Sequence, residues 1–126
     1  MISACEARDP YVTMCGVGLD LATGRQALTG ALATREAGNR DQSGVLLRRA
    51  RHALAAADGP IEGIEADEVR AEATWISLEA ASRHLASAAD GIDGGATASI
   101  VTQEIGAADD KLAVATKVLP KACVEP

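Results

Sequence analysis

Arg48, Arg49, Arg51 and His52 crowd into about a turn and a half of one helical stretch. They are the densest positive cluster in a chain whose 18 Asp plus Glu outnumber its 12 Lys plus Arg. Arg48, Arg51 and His52 follow at spacings of three and four, so on a helix they share a face, opposite an apolar row of Leu46, Ala50, Ala53 and Ala57. Guanidinium forks grip carboxylates and phosphates bidentately, which makes this face a candidate contact for an anion or an acidic partner. The same pattern also describes the solvated side of an amphipathic helix, tied to the acidic start of the helix that follows.

Other residue types capable of chemistry do not assemble into a reaction. Glu72, Glu79, Glu104 and His84 are of the kind that hold a dimetal centre in helical bundles, but that chemistry needs Glu-x-x-His on paired helices, and the motif does not occur. A nucleophilic enzyme needs a Cys or Ser beside a His and a third, orienting group. Here there are only two histidines, and Cys15 reads as a small apolar filler at the margin of a helix seam. Asp90-Gly-Ile-Asp-Gly-Gly has the outline of a calcium loop, yet its third position is Ile92 where an oxygen ligand is required, so the segment reads as a turn. No cofactor, metal or catalytic residue is expected. Trp75 lies near a helix seam between Glu72 and Glu79, and burial at the edge of a core is its expected fate.

The three cysteines, Cys5, Cys15 and Cys123, form no CxxC and have no histidine nearby, which removes the zinc, haem and redox spacings. The expected pairing, where the compartment allows one, is Cys5 with Cys123. The two flank the first and last helices, whereas Cys15 sits within the first.

These residues need elements to position them, and composition points to helices. Hydrophobic residues make up 48% of the 126, with Ala by far the commonest of them, and aromatics are only 2%. Ala has the highest helix propensity, and a core without bulky rings suits closely spaced helices. The length fits a single domain. A net charge of −6 repels nucleic acid and anionic membranes at long range. No apolar run reaches the roughly 18 to 20 residues that cross a bilayer, and the start, MISACEARDPYV, lacks the basic and apolar regions of a signal peptide. The expected location is the cytoplasm, or outside it if Cys5 and Cys123 are bridged.

Helical periodicity divides the chain into four. Asp9 and Pro10 read as N-cap and first residue of a helix over 10–36, with a seam of Met14, Val17, Leu21, Gly24, Leu28 and Ala31. Glycines 16, 18, 24 and 30 weaken it by up to about 1 kcal/mol each, so a close neighbour must compensate. A second helix over 42–57 should end at Asp58-Gly59-Pro60, with Ile61 and Ile64 folding back over one end of the core. A third over 66–89 opens on Asp67 and Glu68, where negative charge suits the helix dipole. It carries the seam Ala71, Thr74, Leu78, Ala81, Leu85 and Ala88, with a second apolar row of Val69, Ala73, Ile76 and Ala80. The clearest repeat is the fourth, over 96–118, in which Val101, Ile105, Ala108, Leu112, Ala115 and Leu119 draw one narrow stripe.

Short connections make consecutive helices antiparallel neighbours, which gives an all-α, up-down-up-down four-helix bundle. An extended hairpin completed as a homodimer satisfies the same pattern. The function such a chain suits is binding another protein, as an adaptor, inhibitor or accessory subunit working through helix faces. Small acidic proteins of phages and mobile elements share this general character. The competing class is a small-ligand-binding or sensory bundle outside the cytoplasm. Burial of the fourth seam is directly testable: Leu112→Ala should cost about 2 to 5 kcal/mol, measured by thermal or urea unfolding.

Overall fold

Helical spacing of apolar residues along 10–36 produces the most deeply buried face of the molecule. The computed structural model describes residues 10–63, 69–120 and 123–124, in four helices: α1 Pro10–Glu36, α2 Arg40–Gly63, α3 Val69–Asp93 and α4 Ala98–Ala115. They form an antiparallel, all-α four-helix bundle. Every seam residue expected for α1 is buried, and so are Val101, Ile105, Ala108, Leu112 and Ala115 of α4, with Leu119 just beyond it. None of the helices is long and apolar enough to cross a membrane.

The packing is that of two hairpins. α1 runs along α2 and α3 along α4, and the hairpins meet chiefly through α1 against α3. α1 touches α4 only sparsely. The centre therefore belongs to α1 and α3, and the α4 seam is buried mainly on α3. Residues 37–39 and 94–97 turn at the same end of the bundle, each around a glycine with positive φ, Gly38 (83°) and Gly95 (80°). The N–H of Asn39 donates to the Thr34 carbonyl and that of Ala96 to the Gly91 carbonyl, so both helices end in a Schellman motif. Thr97 then caps α4, accepting a hydrogen bond from the Ile100 N–H.

Three helices differ in their limits from the sequence expectation. α2 continues through Pro60 to Gly63 although proline removes a helix hydrogen bond. Tertiary contacts hold this turn, since Ala57 is fully buried and the Asp58 carboxylate accepts a 2.8 Å hydrogen bond from Ser82 Oγ on α3. α3 runs on through Gly91 to Asp93 because Ile92 is buried and the Gly91 and Ile92 carbonyls find a donor in Arg35. α4 is shorter at both ends, since Thr97 is its cap and the chain tightens into turns after Ala115. The second apolar row of α3 is not a core face: Ala73 is exposed and Ile76 is 58% exposed, while Trp75, Ala89 and Ile92 are buried instead. Asp9, Ile64, Asp67, Glu68 and the side chain of Ile61 lie outside the described residues.

Two α1 glycines are compensated by a neighbouring helix. A Cβ on Gly24 would lie 3.1 Å from Leu54 Cδ2, and one on Gly30 would lie 3.1 Å from Leu46 Cδ1. Gly18 serves a different neighbour. Its missing side chain leaves room for the carbonyl oxygen of Cys123, which an added Cβ would overlap. One turn earlier on the same face, Cys15 is joined to Cys123 by a disulfide, with Cα atoms 4.7 Å apart. The pairing expected between Cys5 and Cys123 is thereby corrected. Cys123 lies against α1 beside Gly18, so Cys15 is the thiol within reach; Cys5 lies outside the described residues.

The bridge links positions separated by 108 residues, a loop whose closure restricts the unfolded chain strongly. Replacing Cys15 and Cys123 by Ser should cost about 4 to 5 kcal/mol in the chain-entropy account, measured by urea unfolding against the oxidised parent. Gly18→Ala should lower the melting temperature of the oxidised protein as well, because the bridge holds the Cys123 carbonyl against that position.

Candidate functional site: the arginines and the outer face of α2

The arginines divide by what they hold. Arg25 on α1 meets Asp109 on α4 through two parallel bonds, Nε to Oδ1 at 2.7 Å and Nη2 to Oδ2 at 2.9 Å. The hydrogen bond to Asp109 raises the Arg25 pKa, with burial opposing it and the Asp109 charge adding to it. This fork crosses the sparse α1/α4 contact, in a surface cleft of about 450 Å³ that Leu112 and Val124 also line. Both partners are substantially exposed, so solvent screens the pair and its contribution to stability is modest.

Arg35, in the last turn of α1, is the most heavily used. Its guanidinium donates to the carbonyls of Gly91 at 3.4 Å, Ile92 at 3.3 Å and Ala96 at 2.6 Å, with a further bond to Glu36 at 3.1 Å. It thus caps the C-terminus of α3 from another helix, at the end where the macrodipole favours a cation. Arg51 also reaches α3, with Nη2 at 3.1 Å from Asp90 Oδ1 and 3.9 Å from Asp93 Oδ2.

Arg48, Arg49 and His52 remain. All three are exposed, and none makes a hydrogen bond or ion pair among the described residues. The structure therefore splits the cluster: Arg48 and His52 share the outward face of α2 with Val45, Arg49 lies to one side, and Arg51 leans onto the acidic end of α3. Arg51 is tied to the end of α3, because the antiparallel hairpins bring it level with Asp90; the acidic start of α3, to which a link was expected, lies outside the described residues.

Beside this face lies a second surface cleft, of about 380 Å³, between the first turns of α2 and the α3–α4 turn. Its lining includes Arg35, Arg40, Gly44, Leu47, Ile92 and Asp93. Arg40 makes no ion pair among the described residues. Arg48 bends back over the rim, its Nη1 3.6 Å from where a Cβ on Gly44 would stand.

Of the remaining candidates the fold pairs His84 with Glu104 and assembles no larger group among the described residues. His84 Nδ1 lies 2.8 Å from Glu104 Oε2, joining α3 to α4, and Glu79 lies 4.0 Å from Arg83. Among the described residues no three His, Cys, Asp or Glu side chains gather as a metal site would require. Trp75 is buried, and its Nε1 has no hydrogen-bond partner in the structure. Sequence reading passed over Arg35 and Arg40. The available signal for Arg35 was a basic residue in the last turn of a helix, three before a Gly-Asn stop.

Comparison with family models, with curated proteins and with solved structures finds no match to this chain.

Arg35→Gln should loosen the turn-bearing end of the bundle. Hydrogen bonds from a charged donor each contribute about 1.5 to 3 kcal/mol, so a stability loss of at least that size is expected. Faster amide exchange should concentrate at residues 91–98, read by hydrogen exchange with NMR detection.

Proposed function

We propose that the chain is a non-catalytic protein-binding module, an adaptor, inhibitor or accessory subunit. It works through the outer face of α2, with Arg48 and His52 at the centre, Arg49 beside them and Arg51 at the margin. The observation that carries this reading is the contrast among the arginines. In a chain with an excess of acid, Arg25, Arg35 and Arg51 take partners within the bundle, while Arg48 and Arg49, one turn away from Arg51, take none among the described residues. Val45, Ala55 and Ala56 are exposed on the same side, so the cations stand beside apolar surface, a mixture that suits protein more than nucleic acid.

The Cys15–Cys123 bridge supports an oxidising compartment, outside the cytoplasm, as the place where the module works. The ligand-binding alternative receives less support, because both described cavities are clefts at the surface and the seam residues of α1 and α3 pack solidly.

Affinity capture from the native host, with the parent and an R48E/R49E variant as baits, tests the proposal, and light scattering gives the mass of the bait alone. The expected outcome is one stoichiometric protein that is retained by the parent, released by salt and lost with the variant. Equal retention by both baits would remove the α2 face from the reading, and absence of any stoichiometric partner would remove the reading.

A further inference from the structure

We infer that the cleft between α2 and the α3–α4 turn is the seat for a pair of carboxylates on the partner, presented beside an apolar side chain. The inference rests on the protein-binding reading above and specifies its chemistry. Two cations without ion-pair partners among the described residues stand at this cleft: Arg40 on its wall, and Arg48 on the outer face beside it, with Nη1 next to the lining residue Gly44. Arg40 and Gly44, beside which the Arg48 head lies, are one turn apart, about 6 Å along α2. The carboxylates of an acidic helix at i and i+4 have that separation.

The Arg48 head lies beside Gly44, its Nη1 at ordinary contact distance from where a Cβ would stand. Between the cations and the opposite wall lie Leu47, partly buried, and Ile92, buried at its base, an apolar strip that an aliphatic side chain can cover. The acid on the cleft wall, Asp93, lies 3.9 Å from Arg51, which offsets part of its charge. Asp41, next to Arg40, makes no ion pair with either cation. Arg35 lines the cleft too, but its donors are engaged by three carbonyls and Glu36, and it serves as wall.

Protein is favoured over nucleic acid here on two grounds. The net charge of −6 repels a polyanion, and two cations flanking an apolar strip match a short acidic segment better than a continuous phosphate backbone.

The test is an NMR titration of the ¹⁵N-labelled, oxidised protein with a stapled helical peptide carrying Glu at i and i+4 and leucines on the neighbouring row. The same peptide with Gln in place of Glu, and a single-stranded oligonucleotide, form the comparison arms. Expected are shifts confined to residues 40–48 and 92–95, at least about tenfold weaker affinity for the Gln peptide, and loss of the shifts in an R40Q/R48Q variant. Arg40 and Arg48 hold nothing within the fold, so that variant keeps the parent spectrum elsewhere. Absence of shifts at the cleft, equal binding of the Gln peptide, or a stronger response to the oligonucleotide would overturn the inference. Retention of the captured host protein by R40Q/R48Q would sink the cleft while leaving the protein-binding reading in place. Failure of the parent to retain any protein would remove that reading and the inference with it.

Discussion

The buried seam of α1 is the constraint on which the rest of the structure depends. Met14, Leu21, Leu28 and Ala31 have no solvent exposure, and their helix, like α3, meets all three others. Small positions make this contact close: Gly24 admits Leu54, and Gly30 admits Leu46. The helix cost of those glycines is offset by apolar surface removed from water on α2. With α1 seated between α2 and α3, α4 can touch α1 only lightly, and the Arg25–Asp109 fork and the chain end at Cys123 complete that side.

The same geometry sorts the charges. Because 37–39 and 94–97 turn at one end, Arg35 faces the exposed carbonyls at the end of α3, and Arg51 on the antiparallel neighbour comes level with Asp90 and Asp93. Arginines that point inward or sideways across the hairpins thus become part of the fold. Those on the outward row of α2 make no ion pair with another helix among the described residues. Their freedom follows from helix orientation, and it leaves a basic strip on an acidic protein.

What the sequence disclosed was whatever depends on periodicity. The buried seams of α1 and α4 follow from the spacing of apolar residues, the α1 limits from local stop and start residues such as Pro10, and the fold class from those together with the short connections. Boundaries set by tertiary contacts were not legible. The α3 terminus at Asp93 depends on a guanidinium 56 residues away in sequence, and α2 passes Pro60 because Ser82 and the core hold that turn. The second row of α3 misled for a related reason. Ile76 and Ala73 are apolar at helical spacing, but the side of α3 that receives α1 and α4 is fixed by Trp75, Leu78 and Leu85. In the candidate site, the cluster at 48–52 was visible as composition. The partition of its members was not, since it required knowing that Arg51 and Asp90 are neighbours. The disulfide likewise depended on the path of the last residues back along α1 to Gly18, for which the sequence offers only a glycine.

The central claim is that the bundle closes on itself and leaves the outer face of α2 as the surface that meets a partner. Site-specific photo-crosslinking in the native host examines this directly, with a photoreactive amino acid placed in turn at His52, at Ile76 on α3 and at Ile100 on α4, all three exposed. The account predicts a discrete protein adduct from position 52 and none from positions 76 and 100. Adducts from position 76 or 100 with none from position 52 would contradict it.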